Sequence, residues 1–240
     1  MGLRPLRGAR VLAAALAGTV LLTGCDFDGA YDLPLPGSPV DADDVVAEAP
    51  DVVVVASGGW PDTEVLPSGA DGADLLVSVA DVIAGHSIQG GTGSTVLVYD
   101  DHGNVEALSC VEFLLDRGHP VVLVTPDRMV GPELIGTVYP AYLERFHAAG
   151  VVIIPDHRLV AVRRIDGGLE AVLANAYTGT EQRRTIDLVA VEHGTVPNDD
   201  IFHDLAARSA NGGVTDLDAL LAFEPQPASG NGFEVYLIGD

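Results

Sequence analysis

The residues with the clearest chemical potential are Asp100, Asp101 and His102, which stand together before Gly103. Two carboxylates and an imidazole are metal-ligand types, but three adjacent residues in a turn cannot all direct their side chains at one ion. The same turn follows an apolar run, where a dinucleotide-binding fold has several glycines that let the backbone approach a pyrophosphate. Here there is one glycine, and two carboxylates adjoin the place where phosphate would lie. This arrangement disfavours phosphate unless a cation intervenes.

Composition excludes several classes of function. The 240-residue chain has 12 lysine and arginine residues against 35 acids, a formal net charge of −23, so that its surface repels nucleic acid. Lysine is missing from the sequence, which rules out a Walker-type phosphate loop, a Schiff-base lysine and a lysine-bound pyridoxal cofactor. Cys110 lies within an apolar helical pattern, which predicts a buried thiol. Ser57, Ser109 and Ser209 lack the Gly-x-Ser-x-Gly setting of a hydrolase nucleophile.

Short apolar runs predict buried parallel strands at residues 52–56, 96–99 and 121–124. A helix-length segment separates the last two runs, with Asn104 placed to cap it and apolar residues recurring at helical spacing. A second helix is predicted to end at Gly150. This order of strand, helix and strand indicates an α/β fold of the Rossmann kind.

After the second helix, runs of strand-forming residues joined by short turns replace the alternation of strands and helices. Four strands are predicted, at residues 151–154, 158–164, 169–175 and 184–191. A meander of this kind is typical of a dinucleotide-binding domain that carries a small antiparallel insertion. The predicted fold class is therefore α/β, a Rossmann-like domain with inserted antiparallel strands.

The N-terminus has the charge-then-apolar order of a secretory signal. Three arginines precede an uncharged run at residues 11–22, which is too short to span a bilayer as a mature helix. The run ends at Leu22-Thr23-Gly24-Cys25, which resembles a bacterial lipobox. The sequence thus predicts a lipoprotein signal peptide at residues 1–24, a lipid anchor on Cys25 and a place on the extracytoplasmic face of the cell membrane. An unused signal would leave the chain in the cytoplasm.

Residues 25–50 are acidic, contain proline and have few aromatic residues, a composition typical of a flexible tether. Within them, residues 27–37 resemble the stretch after the lipobox in lipoproteins of the mammalian-cell-entry (MCE) transport systems, which help to move lipids or sterols. That resemblance implies a non-enzymatic envelope lipoprotein as one alternative function. A fusion of two unrelated gene fragments is another, because the composition changes abruptly near residue 48.

Three later segments resemble two-dinucleotide flavoproteins. Residues 51–61 look like the strand and glycine turn that leave the first nucleotide domain, residues 187–198 are similar to the exit from the second, and residues 236–240 look like the strand and turn that approach FAD. Residues 98–103, 124–129 and 139–142 carry a finer likeness to the old-yellow-enzyme-related NADH:flavin oxidoreductases. Within that group the likeness is to the branch of 2,4-dienoyl-CoA reductase and dimethylamine or trimethylamine dehydrogenase.

This resemblance implies a cofactor, FAD or another adenine dinucleotide, and a division of the chain. Residues 51–95 would be a remnant of the first, FAD-binding domain with a connector, residues 96–195 the second, NAD(P)- or ADP-binding domain, and residues 196–240 the return to the first. The family-matched cofactor contacts are Gly58, Gly59, Asp100, Gly103, Thr125, Gly194, Gly239 and Asp240. The acid that should accept ribose hydroxyls is replaced by Thr125, with Asp127 two positions later.

Members of that family also carry an N-terminal barrel that holds FMN, often an iron-sulfur cluster, and a glycine-rich turn for ADP. None of these features is found in the sequence. We therefore expect a nucleotide-binding fragment of a flavin-dependent NAD(P)H oxidoreductase that does not catalyse alone. A complementing flavoprotein subunit or a second copy of the chain would have to supply the missing half.

Overall fold

The computed structural model describes residues 10–15, 20–24, 40–85, 88, 91–227 and 230–239. The chain divides into two compact units, one comprising the chain up to Trp60 and from Val196 onwards, and the other comprising Pro61–Thr195. The described strands are β1 (Arg10–Ala15), β2 (Val20–Gly24), β3 (Val52–Ala56), β4 (Gly59–Pro61), β5 (Leu76–Ser78), β6 (Val96–Asp100), β7 (Val121–Val124), β8 (Val152–Ile154), β9 (His157–Ile165), β10 (Gly168–Asn175), β11 (Glu181–Ile186), β12 (Leu188–Glu192), β13 (Thr195–Pro197) and β14 (Glu234–Leu237). The described helices are α1 (Ala42–Ala47), α2 (Val79–Ile83), α3 (Val105–Asp116), α4 (Tyr139–Ala149), α5 (Asp200–Ala206) and α6 (Leu217–Leu221).

The unit Pro61–Thr195 is built on a five-stranded parallel sheet in the order β5-β12-β6-β7-β8. Every residue of β6, β7 and β12 is buried, as expected of apolar runs in a sheet that is covered on both faces. The predicted strands at residues 96–99 and 121–124 are confirmed. β5 and α2 also belong to this unit, whereas the resemblance implied that residues 51–95 are a remnant of the first domain with a connector.

The two faces of this parallel sheet are covered by different structures. Side chains alternate along β6, so Val96 and Val98 pack with the apolar side of α3, which includes the buried Cys110. Leu97 and Tyr99 pack on the other face with residues of β9 and β10. The strands β11, β10 and β9 form an antiparallel sheet, which confirms the predicted meander.

The prediction of one strand at residues 184–191 is wrong, because the run belongs to two sheets. β11 ends at Ile186 in the antiparallel sheet, and β12 begins at Leu188 in the parallel sheet. Between them, the backbone N–H of Asp187 donates to the carbonyl of Thr95 at 2.9 Å, and the Asp187 carboxylate accepts from the Thr95 N–H at 2.7 Å. These bonds hold the chain where it passes from one sheet to the other.

The other unit contains a four-stranded sheet in the order β14-β3-β1-β2. β14, β3 and β1 run parallel, and β2 is antiparallel to β1. β3 has the predicted bounds, and its Val53 and Val55 are buried against Val45 of α1 and Leu205 of α5. Helices therefore cover an apolar face of this sheet.

The predicted flexible tether of residues 25–50 is wrong at its C-terminal end, where α1 forms. Asp41 caps this helix, and its side chain accepts from the amides of the first helical turn in a capping box. Ala42 and Val45 of the helix are buried at 5% and 2% exposure. The acidic residues of this stretch thus cap a helix, and its small apolar residues join the core.

Strands β1 and β2 occupy the region predicted as the apolar part of a signal peptide. β1 pairs with β3 in parallel, with Val11 opposite Val52. None of the helices in the described part of the chain is long and apolar enough to cross a membrane. Cys25, the predicted lipidation site, and residues 27–37, the MCE-like segment, lie outside the described residues, so lipidation and the membrane location stay predictions.

Candidate functional site

Three neighbouring strands of the parallel sheet, β6, β7 and β12, end at the same edge. The register places Asp100 opposite Glu192 at the ends of β6 and β12, and Thr125 follows directly after β7. Open α/β sheets bind their ligands at this carboxyl edge. The structure therefore brings Asp100, Thr125 and the turns that contain Gly103 and Gly194 to one edge of the sheet.

Asp100 shapes the turn that follows β6. Its Oδ1 accepts from the N–H of Gly103 at 2.8 Å and from the N–H of His102 at 3.2 Å. Its Oδ2 is buried and has no hydrogen-bond partner among the described residues. Burial raises the pKa of Asp100 to about 6, an effect that the two N–H donors oppose and that nearby Glu192 and Asp101 reinforce. Asp100 is fully buried, and the expectation that it lies beside a bound cofactor stays a prediction.

Gly103 provides the close turn between β6 and α3. Its φ is +78°, which favours glycine, and a Cβ placed on it would lie 2.7 Å from Cγ of Pro132. Helix α3 begins two residues later, after Asn104, as predicted. The Asn104 side chain makes no capping hydrogen bond, so it leaves the amides of the first helical turn uncapped.

Two contacts between histidines and carboxylates join the turns after β6 and β12. Nδ1 of His193 lies 2.6 Å from Oδ1 of Asp101, and Nδ1 of His102 lies 3.3 Å from Oε1 of Glu192. The same Glu192 oxygen accepts from the N–H of Gly194 at 3.1 Å, and burial raises the pKa of Glu192. Sequence reasoning missed Glu192, although an acid directly after a buried apolar run is the same signal that singled out Asp100.

Thr125 stands where the resemblance expects an acid, but its side chain is turned towards the backbone. The residue is fully buried, its N–H donates to the carbonyl of Ile154 at 3.1 Å, and its Oγ1 accepts from the N–H of Asp127 at 3.1 Å. The prediction that Thr125 contacts a cofactor stays a prediction. The Thr125 hydroxyl holds the turn that positions Asp127.

The remaining predicted glycines lie in the unit that contains β3 and β14. These strands are parallel neighbours with Leu237 opposite Val55, so Gly58 and Gly239 follow strand ends at the same edge. Their φ angles are +64° and +93°. Gly59 begins the exposed strand β4. Asp240 lies outside the described residues.

Glycine turns at the carboxyl ends of parallel strands thus occur in each unit. In Pro61–Thr195 a twelve-residue helix starts directly beyond the turn, which concentrates free amides and partial positive charge there. Such an edge can bind an anionic group such as a phosphate. In the described part of the chain no group of three His, Cys, Asp or Glu residues could hold a metal ion. Fold and site together define an α/β protein of the dinucleotide-binding type.

Comparison with known proteins points to dehydrogenases and demethylases. The chain is 37% identical over 203 residues to the probable N-methylproline demethylase of Rhizobium meliloti (strain 1021), which matches 83% of this chain and 29% of that protein. It is 33% identical over 215 residues to the N,N-dimethylglycine/sarcosine dehydrogenase of Chromohalobacter salexigens. That match covers 85% of this chain and 30% of the dehydrogenase. The structure of histamine dehydrogenase from Rhizobium sp. 4-9 is similar in fold, with a TM-score of 0.67 at 24% identity over 85% of this chain and 28% of that chain.

The chain spans less than a third of the length of these curated relatives. No family model matches the sequence. The predicted resemblance to the amine-dehydrogenase branch is confirmed at the level of similarity to a demethylase and to dehydrogenases. The resemblance of residues 27–37 to MCE lipoproteins gains no support from these relatives.

Proposed function

We propose that the chain is the nucleotide-binding part of a flavin-dependent NAD(P)H oxidoreductase. The similarity to a demethylase and a dehydrogenase supports this proposal, as do the glycine turns at the sheet edges of both units. In Pro61–Thr195 the ligand is an adenine dinucleotide, with its pyrophosphate against the Gly103 turn. The observation that carries the proposal is that α3 starts beyond this turn with a first turn that Asn104 leaves uncapped.

The proposal assigns FAD to the other unit. A Cβ placed on Gly58 or on Gly239 meets no atom of the described residues within 4 Å, so among these residues both glycines border open space at the edge of the sheet. Backbone without side chains at such an edge fits the close approach of a dinucleotide phosphate. Gly58, Gly59, Gly239 and Asp240 would hold the cofactor together with a complementing subunit or a second copy of the chain, and the bound flavin would supply hydride transfer.

Catalysis in this proposal needs more than the present chain. The relatives are more than three times as long as the segments that match, and a complementing flavoprotein subunit or a second copy would contribute the reacting centre. The proposal therefore names the nucleotide that this chain binds and no other substrate. The chain's own residues bind and orient that nucleotide.

We expect the purified chain to bind ADP, and Asp101→Asn to tighten that binding by about threefold to tenfold. Asp101 lies two residues before Gly103, and its side chain, which is 16% exposed, contacts His193. Removal of its charge reduces the repulsion of a phosphate bound at the start of α3. Isothermal titration calorimetry with ADP measures both affinities.

Asp116→Asn is the matched control, since it removes the same charge at the opposite end of α3. It should leave the affinity for ADP unchanged. The same preparations are expected to be colourless and not to oxidise NADH. Failure of every form to bind ADP would contradict the proposed function, and a yellow preparation with stoichiometric flavin would show that the chain holds its cofactor unaided.

We also propose that the chain is lipidated on Cys25 and associates with membranes, which rests on the lipobox-like sequence. Cys25→Ala should release the protein into the soluble fraction or leave it unprocessed. Mass spectrometry of the native product and membrane fractionation test this expectation. A wild-type product of full, uncleaved mass in the soluble fraction would contradict it.

A further inference from the structure

The short helix α6 presents an apolar surface to solvent. Leu217, Leu220 and Leu221 stand at the helical spacing i, i+3 and i+4, so their side chains share one side of the helix. Each of them is more than half exposed, and Phe223, two residues beyond the helix, is 97% exposed. The structure describes every residue of α6, and none of them is buried. We call these four side chains the α6 surface.

Hydrogen bonds hold the segment that carries the α6 surface. At its base, the N–H of Asp216 donates to Oε1 of Gln226 at 2.7 Å, and Nε2 of Gln226 donates to the carbonyl of Asp216 at 3.0 Å. The N–H of Glu224 donates to the carbonyl of Ala219 at 2.8 Å. Phe223 has a φ of +57°, a conformation that residues other than glycine seldom adopt and that the surrounding bonds maintain. Polar contacts thus close the segment at its base and hold its apolar side chains towards solvent.

The charges around the α6 surface indicate what kind of partner it fits. A cluster of exposed apolar side chains marks a surface that binds another molecule. Asp218 and Glu224 are exposed beside it, and residues 209–240 contain no lysine, arginine or histidine. A second copy of the chain would bring the same acids to the contact, and an anionic lipid surface would bring further negative charge, so both are repelled. The surface therefore fits a protein partner whose apolar groove is bordered by lysine or arginine residues.

Resting on the proposed function, we propose that the α6 surface docks the complementing flavoprotein subunit, which meets it with an apolar groove and a basic rim. Each of the two curated relatives has more than twice as much further polypeptide as it shares with this chain. Polypeptide of this kind can cover an exposed surface on the shared part. Burial of the leucines and the phenylalanine supplies affinity, and the charged rim directs the orientation of the partner.

The experiment pairs the full chain with the part of the Rhizobium meliloti demethylase that lies outside the match. The matching segment of that demethylase, added as a separate chain, is the positive control. We expect a one-to-one complex in size-exclusion chromatography with light scattering. Leu221→Gln and Phe223→Gln should each weaken it by about tenfold or more in calorimetric titration. Ile135→Gln, a similar change at a site that is 72% exposed in the other unit, should leave the affinity unchanged.

A second set of variants tests the charged rim. Asp218→Asn combined with Glu224→Gln should weaken the complex by about threefold or more at about 0.05 M salt, and by less at about 0.5 M salt, where the charges are screened. Asp116→Asn, which removes an exposed acid from α3, is the matched control and should have no effect at either salt concentration. Circular dichroism verifies that each variant is folded.

Each contrary result has its own meaning. Failure of the chain to form the complex that the positive control forms, or a complex that Leu221→Gln and Phe223→Gln leave unchanged, would overturn the inference. A wild-type dimer that these variants dissociate would overturn it in favour of a second copy. Binding of the wild type but not of these variants to phosphatidylcholine vesicles would overturn it in favour of a lipid surface.

Titration of the same samples with ADP separates this inference from the proposed function. Neither Leu221→Gln nor Phe223→Gln lies in the unit that contains Gly103, so both should bind ADP as the wild type does. ADP binding without a complex would overturn the inference and leave the proposed nucleotide site in place. A complex without ADP binding by any form would contradict the nucleotide site and leave the α6 surface assigned.

Discussion

Asp100→Asn is expected to stabilise the chain near neutral pH by as much as about 3 kcal/mol. Asp100 is fully buried, its Oδ2 has no hydrogen-bond partner among the described residues, and burial raises its pKa from 3.8 to about 6. Ionising a carboxylate that is so poorly solvated costs free energy. Asparagine removes the charge and retains an oxygen that accepts from the N–H groups of His102 and Gly103. Urea denaturation of both proteins measures the difference.

Asp100→Asn should also remove a pH dependence of the free energy of unfolding. The pKa of Asp100 in the folded state, about 6, lies above its ordinary value of 3.8, which applies to the unfolded chain. The folded wild type therefore binds more protons between these values, and its stability falls as the pH rises through them. The advantage of the variant should be small near about pH 4 and complete above about pH 7. Burial also raises the pKa of Glu192, which gives a slope of the same sign in both proteins.

Asp116→Asn is the control for this prediction, because its side chain is 63% exposed. We expect it to change the free energy of unfolding by less than about 1 kcal/mol at either pH. A loss of stability in Asp100→Asn of the same size at both pH values would contradict the prediction. It would mean that the loss comes from replacing the carboxyl group with an amide and not from the ionisation of Asp100.

Gly72→Ala is expected to destabilise the chain by about 3 kcal/mol or more. Gly72 has a φ of +98°, and an added Cβ would lie 2.0 Å from the carbonyl oxygen and 2.7 Å from the carbonyl carbon of Val162. Both contacts are with backbone of β9, where the N–H of Val162 donates to the carbonyl of Asp71 at 3.0 Å. Neither the segment that contains Gly72 nor β9 can move away from the other without loss of that hydrogen bond. Chemical denaturation gives the change in the free energy of unfolding.

Gly167→Ala is the control that measures the cost of backbone strain without the steric clash that Gly72→Ala also introduces. Gly167 has a φ of +86°, but a Cβ placed on it meets no atom within 4 Å in the described part of the chain. This control should lose only about 1–2 kcal/mol, the cost of the left-handed conformation. Equal losses in the two variants would show that the segment before β5 moves away from β9 without penalty.

The sequence by itself determined the elements whose signals are local. The run of valines at residues 52–56 forms a strand with the predicted bounds, because β-branched residues fit a buried strand. Gly150 ends α4 with a φ of +75°, a conformation that glycine adopts at little cost. The apolar residues of α3 and its Cys110 face the core as their helical spacing predicts. The resemblance to dehydrogenases also came from the sequence, since short motifs keep their order along the chain.

Only the tertiary structure decided which sheet each strand joins and in which direction the side chains of the site point. The run at residues 184–191 divides between two sheets because Asp187 bonds to Thr95, a residue 92 positions away. Asp41 caps a helix at residues 42–47, and this helix forms because its Val45 packs into a buried apolar cluster. The backbone of Thr125 is bonded to Ile154 and that of Asp127 to Asp156, and these distant contacts hold the Asp127 carboxylate beside the Gly103 turn. Interactions over such separations depend on the packed chain, and no local pattern encodes them.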